Sequence, residues 1–154
     1  MKNYSSLVTP WVSQQDIKHK ILGFSDYNCI ETSIGVLNDY SSLSFHCSFG
    51  FNNKFITRKI RQQTFNSLLT LSKFEQKIQT EIANKLINLL NLRGKIFFTL
   101  SGEESIEHAL KICRETTKRK IILSRKKSYH GATLGALQVT GDWRRNLHYL
   151  PKDG

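Results

Sequence analysis

No apolar run in the sequence approaches the roughly 20 residues that span a bilayer, so a transmembrane helix is not expected. Met1-Lys2-Asn3-Tyr4-Ser5-Ser6 is followed by no apolar stretch of the signal-peptide kind, which argues against secretion. Cysteine is scarce and odd in number. Cys29, Cys47 and Cys113 stand far apart with no CxxC pair, so a disulfide framework is excluded and a reduced, cytoplasmic setting fits. His46 has no partner at ligand spacing and reads as structural, and no metal site is expected. Internal repeats and low-complexity segments are absent. Acidic residues are also few, 12 against 23 Lys and Arg, which leaves a net charge of +11.

A charge excess of one sign can mark a nucleic-acid or acidic-membrane partner. Here the cations are spread over Arg58, Lys59 and Arg61, over Lys118, Arg119 and Lys120, over Arg125, Lys126 and Lys127, and over Arg144 and Arg145. No nucleic-acid motif lies among them, and aromatics are not interleaved as stacking platforms. Solvated faces and a cofactor-phosphate environment are the expected roles, with no nucleic acid and no membrane as partner. An acidic remainder of the protein beyond these residues would also balance the charge.

At 154 residues, 39% of them hydrophobic, the chain is long enough to bury a core. Its organising stretch runs from Lys95 to Gly131. Lys95-Ile96-Phe97-Phe98-Thr99 reads as a buried strand that breaks at Ser101-Gly102. Ile106, Ala109, Leu110 and Cys113 then recur at helical spacing, and Ser101 with Glu104 forms a capping box. A strand, a turn of small residues and a helix N-terminus together present free N–H groups and a positive dipole end to a phosphate. A second strand, Lys120-Ile121-Ile122-Leu123-Ser124, leads to Tyr129-His130-Gly131 and another helical run. Two parallel strands ending side by side would bring the Tyr129 ring near that phosphate.

Thr99-Leu100-Ser101-Gly102-Glu103-Glu104-Ser105-Ile106-Glu107-His108-Ala109-Leu110-Lys111, then Lys120 to Ser124, then Ser128-Tyr129-His130-Gly131-Ala132-Thr133-Leu134-Gly135-Ala136 resemble the class III aminotransferases. Thr140-Gly141-Asp142 and Arg144-Arg145 extend the likeness. These are pyridoxal-phosphate (PLP) enzymes of fold type I, including ω-amino-acid, taurine and acetylornithine transaminases. The resemblance implies an α/β chain, in which an N-terminal segment with a short β-hairpin and helices precedes the start of a parallel-sheet large domain. The expected boundaries are 1–66 for the N-terminal segment, comprising part of the small domain and the active-site loop, and 67–154 for the truncated beginning of the PLP-binding domain.

Nearer the N-terminus, the family places a proline-aromatic-polar segment near its substrate entrance. The match is Thr9-Pro10-Trp11, so Trp11 is either a pocket liner or a surface-packing anchor. Cys29 to Thr32 and Val36 to Tyr40 read as two strands joined through Ser33-Ile34-Gly35. Ser41 to Asn53 resembles the family loop that skirts the active site and closes on a glycine, here Gly50. Phe45 falls where the family often has a substrate-facing aromatic. The period-two spacing of Phe45, Phe49 and Phe51 equally suits three core rings on a strand. The family commonly continues with His-Pro, whereas Asn53-Lys54 stands here. Lys54 to about Asn66 is a basic helix candidate. Ser72 and Glu75 form a second capping box, ahead of an apolar stripe through Phe74, Ile78, Ile82, Leu86, Leu89 and Leu90.

PLP catalysis needs a phosphate cup, a ring clamp, an acid for the pyridine nitrogen and a Schiff-base lysine. The resemblance assigns the cofactor contacts to Ser101, Gly102, Glu103, Tyr129, His130 and Gly131, and a structural hydrogen-bonding role to Glu107. Where the family has Ser, Thr or Ala, this chain has Glu103. An ionised carboxylate within about 4 Å of a phosphate repels it by roughly 1 to 4 kcal/mol, unless it rotates outward and offers only its backbone N–H. The pyridine-pairing Asp and the Schiff-base Lys lie downstream of the tyrosine turn in the family, beyond residue 154 here, so no catalytic residue is assigned in this chain. The expected function is that of an N-terminal fragment of an aminotransferase, inactive alone, acting with an amine or ω-amino acid donor and a 2-oxo acid acceptor in a homodimer. The alternative is a catalytically dead remnant serving as an interaction or regulatory module. A parallel sheet cut after two or three strands would leave an unpaired edge and an uncovered apolar face.

Overall fold

The computed structural model describes residues 7–13, 19–25, 27–66 and 73–150. They fall into two compact units, Met1–Gln76 and Lys77–Gly154. Among the described residues no helix is long and apolar enough to cross a membrane.

The first unit holds a three-stranded antiparallel sheet in the order β1 (Ile21–Phe24), β2 (Cys29–Thr32), β3 (Gly35–Asn38). Thr32 pairs with Gly35, so Ser33-Ile34 is a two-residue hairpin turn, and the Thr32 hydroxyl donates to the Gly35 carbonyl at 2.7 Å. The hairpin read from the sequence is there. β1 is an addition, built from a stretch without alternating pattern, and its pairing with β2 is irregular between Ile21 and Gly23.

Beyond β3 the chain turns on Asp39. Its carboxylate accepts the Ser41 N–H at 2.9 Å, the Ser41 hydroxyl at 2.7 Å and the Leu43 N–H at 2.6 Å. These bonds, the Ser41 hydroxyl foremost, hold the carboxyl below its usual pKa. The single turn that follows, α1 (Ser42–Phe45), has positive φ at every residue: 53°, 46°, 56° and 72°. Left-handed backbone costs L-residues roughly 1–2 kcal/mol each, so this turn needs the acceptors that Asp39 supplies. The reading of Phe45, Phe49 and Phe51 as core rings on one strand is therefore corrected. Phe45 is 88% exposed and Phe49 is exposed, while Phe51 packs on Phe24 with ring centroids 4.7 Å apart. α2 (Lys54–Thr64) follows, and Asn53 caps it by accepting the Ile56 N–H at 3.2 Å. The asparagine that departs from the family's His-Pro thus starts a helix of its own.

In the second unit α3 (Lys77–Leu89) carries the expected apolar stripe but buries none of it. The Ser72 half of its proposed capping box lies outside the described residues. α4 (Gly102–Thr117) ends on a left-handed Lys118, φ 57°. α5 (Leu134–Val139) and a 3₁₀ turn (Trp143–Leu147) complete the unit. The core sits where α4 meets α5: Leu110, Ala136, Leu137 and Val139 are buried around Thr140, which is fully enclosed. The two segments read as parallel strands, 95–99 and 120–124, form no ladder among the described residues. A strand is closed only by neighbours that take its N–H and C=O groups, and here Phe97, Leu100, Ile121 and Leu123 remain exposed.

Glu107 joins the two helices. Its Oε1 accepts the Thr133 hydroxyl at 2.6 Å and the N–H groups of Gly135 at 2.8 Å and Ala136 at 3.1 Å, at the start of α5. The Thr133 bond above all, then the two amides and the charge of Lys111, holds its carboxyl below the ordinary glutamate value of 4.5. Replacing Glu107 by Ala is expected to lower unfolding free energy by about 1–3 kcal/mol. A depressed carboxylate pKa stabilises above the unfolded value and loses its effect as pH falls through the folded one. Denaturant titrations should therefore show the full difference from the parent above pH 4.5 and its disappearance below. For the first unit, Gly50 at φ 83° has no room for a Cβ, which would strike the Tyr27 ring, whereas Gly35 at φ 120° has open space. Gly50→Ala is expected to lower stability by roughly 3 kcal/mol and Gly35→Ala by roughly 1 kcal/mol, an order that thermal melts will check.

Candidate functional site

The site is built on the first turn of α4. Ser101, extended at φ −144°, accepts the Glu104 N–H on its hydroxyl at 3.2 Å. Glu104 reaches back to the Leu100 N–H at 2.8 Å, one residue before the position a capping box usually satisfies. The Ser105 N–H closes the first helical bond to the Ser101 carbonyl. Among the described residues, the N–H groups of Gly102 and Glu103 have no protein acceptor. A Cβ placed on Gly102 would meet nothing within 4 Å, so the glycine is not demanded by the protein's own packing.

Glu103 is disposed of differently from a phosphate-facing acid. Its Oε2 accepts the Ala132 N–H at 2.9 Å, which ties the helix start to the loop after Tyr129. Gly131, at φ 140°, lies so close to this turn that a Cβ would land on the Cβ of Glu103 and within 2.9 Å of that of Ala136. Thr140 fixes the same loop from beneath. Its hydroxyl donates to the Ala136 carbonyl at 2.9 Å and accepts the His130 N–H at 3.1 Å.

Ser101, Gly102, Glu103, Tyr129, His130 and Gly131, all assigned from the sequence, therefore line one open cleft of about 470 Å³, with Ile106 at its side. Tyr129 is 45% exposed there. The Arg144 guanidinium stands 4.5 Å from the Tyr129 ring centroid. Arg144 is oriented by Asp142, whose Oδ1 accepts the Arg144 N–H at 2.9 Å and whose Oδ2 pairs with its guanidinium. Thr140, Asp142 and the stacked Arg144 had no assigned role from sequence. The short Asp-x-Arg spacing was the available signal for the ion pair, but nothing local announces which ring the arginine covers. Trp11 and Phe45 belong to the first unit. Trp11 has φ 63°, and Phe45 projects from the α1 turn.

Residues 36–151 match the family model described as Aminotransferase class-III. The acetylornithine aminotransferase of Lactiplantibacillus plantarum is 32% identical over 105 residues, covering 68% of this chain and 26% of that protein. The uncharacterized aminotransferase YodT of Bacillus subtilis is 34% identical over 122 residues, covering 72% and 27%. Among solved structures, an amine transaminase from an uncultivated Pseudomonas species in a PLP-bound form aligns with a TM-score of 0.83 at 21% identity, over 97% of this chain and 37% of that one. An S-selective transaminase from Arthrobacter sp. with alanine bound gives 0.78 at 24%, over 89% and 30%. These two likenesses show the fold, a partial α/β fold of the fold type I transaminases. The chain spans between 26% and 37% of the length of these proteins. With the family model matched over three-quarters of its residues, the chain belongs to the class III aminotransferases, a family that depends on pyridoxal phosphate.

Proposed function

We propose that residues 95–131 form the phosphate-holding and ring-covering part of an aminotransferase that moves an amino group from an amine or ω-amino acid to a 2-oxo acid. The observation that carries this reading is the start of α4: two N–H groups without protein acceptors, at a glycine with open space above it. Bound there, the cofactor supplies the electron sink that amino transfer needs. The chain's own residues bind and orient. The Gly102 and Glu103 amides, at the positive end of a 16-residue helix, hold an anionic group. The Glu103 carboxylate, engaged by Ala132, is kept from opposing it. Tyr129 covers a ring face, steadied by Arg144. Trp11 and Phe45 are assigned to the substrate side.

In this reading the Schiff-base lysine and the pyridine-pairing aspartate come from residues outside these 154, so the chain alone does not transaminate. The partial coverage of every relative described above supports that assignment. The complete protein is proposed to be a homodimer, and a reduced, cytoplasmic setting suits the three free cysteines.

The test is a chimera in which this chain replaces the matching segment of the YodT relative. Retention of PLP and amino transfer are expected. Gly102→Val should weaken PLP retention by about tenfold or more while leaving the melting temperature in place. Unchanged retention in that variant sinks the phosphate assignment, and a chimera that folds but never transfers favours the inactive remnant. Borohydride reduction of the 154-residue chain after addition of one equivalent of PLP should give only sparse labelling spread over exposed lysines; stoichiometric labelling of one lysine overturns the placement of the Schiff base outside it.

A further inference from the structure

A second cavity lies in the same unit, and the functional reading above does not use it. It is an open concavity of about 800 Å³, lined by the exposed Arg125, Lys126, Lys127 and Arg145, with Trp143 and Asn146 among the remaining walls. Its size is within the roughly 300–1,000 Å³ of small-molecule sites. In the sequence these cations are parts of two separate clusters. Backbone contacts bring them together. The Lys127 N–H donates to the Gly141 carbonyl at 2.9 Å, and the Gly141 N–H donates to the Ser128 carbonyl at 2.8 Å. A Cβ on Gly141 would strike the Arg125 carbonyl and come within 3.0 Å of the Lys126 Cα, so the two walls meet main chain to main chain. Lys127 is held at φ 65° in the process.

Among the described residues, no carboxylate pairs with the cations of this cavity. Asp142 is the one acid in its lining, and both its oxygens are taken by Arg144. The other described acids of the unit are engaged elsewhere: Glu103 with Ala132, Glu104 with Leu100, Glu107 with α5, Glu115 with Lys118 and Glu81 with Lys77. Among the described residues, Arg125, Lys126, Lys127 and Arg145 enter no ion pair. Like charges lining one concavity repel one another and raise a positive potential there, which a multivalent anion relieves better than scattered univalent ions.

We propose that this cavity binds a compact polyanion, a small molecule with adjacent phosphate or carboxylate groups, held by Arg125, Lys126, Lys127 and Arg145 independently of the cleft at Tyr129. Guanidinium groups suit either anion through paired N–H donors. The proposal does not depend on the aminotransferase reading.

Trp143 lines the cavity, and Trp11 is the only other tryptophan in the sequence, so the Trp11→Phe chain reports on the site by its own emission. Titrating that chain with pyrophosphate and, separately, with citrate at constant ionic strength should give a saturable change. A response to pyrophosphate alone assigns phosphate anions, and one to citrate alone assigns carboxylates. The double substitution Arg125→Gln/Arg145→Gln should raise the half-saturating concentration about tenfold or more, and Lys85→Gln/Lys95→Gln, an equal loss of charge outside the lining, about twofold or less. The proposal fails if neither anion gives saturation up to about 10 mM, or if both double substitutions weaken binding equally, as diffuse attraction would. It also fails if random duplex DNA displaces the anions at a lower concentration of charge, since the surface would then be a nucleic-acid one.

Discussion

The second unit depends on two carboxylates one helical turn apart. Glu103 and Glu107 occupy i and i+4 on α4, so they face the same way, and both spend their charge on donors between residues 132 and 136. At these part-exposed positions the bonds made by each carboxylate together contribute about 1–3 kcal/mol. Fully burying a large aliphatic side chain contributes about as much, and the described core of this unit holds only Leu110, Ala136, Leu137 and Val139. The polar tie is thus of the same order as the apolar core. It adds to the Thr140 bonds and the α4–α5 core in setting where Tyr129 lies relative to the α4 amides.

This resolves the apparent conflict at Glu103. An acid in the first turn is favoured by the helix dipole but opposed to any phosphate bound there. Holding the Ala132 amide gives the side chain a partner of its own, and the backbone N–H of the same residue stays available. The two glycines of the cleft divide the remaining work. Gly131 is required because the loop passes too close to Glu103 and Ala136 for any side chain. Gly102 meets no such neighbour, and its lack of a side chain has a consequence only if something outside the chain approaches it.

What was legible in the sequence is what local chemistry determines. The Ser101–Glu104 cap, the α4 start and the β2–β3 hairpin are set by residues a few positions apart, and each stands where the pattern put it. The left-handed turn at 42–45 escaped because apolar alternation says nothing of an aspartate that supplies three hydrogen bonds ahead of it. The Glu103–Ala132 bond spans 29 residues, and the Arg144–Tyr129 stack joins segments across α5. Such partners are chosen by the path of the chain. The segments 95–99 and 120–124 show the complementary limit. Their composition specifies a conformation, but a ladder belongs to at least two segments, and no described neighbour supplies the second.

The net charge of +11 acquires a different meaning once the acids are located. Dispersed over a surface, it implies only solubility and weak attraction to anions. In the second unit, however, the described carboxylates lie against amides, against Arg144 or against lysines away from 125–127 and 145, so composition sets the size of the surplus and the fold sets where it is felt. Each acid that turns to a backbone N–H withdraws a counter-ion from the cations and satisfies a donor away from the open amides. Internal hydrogen bonding fixes where the carboxylates sit, and among the described residues it leaves Arg125, Lys126, Lys127 and Arg145 without an ion-pair partner. A substitution that frees Glu103 or Asp142 would then act twice, loosening a loop and restoring a negative neighbour to a surface that had lost it.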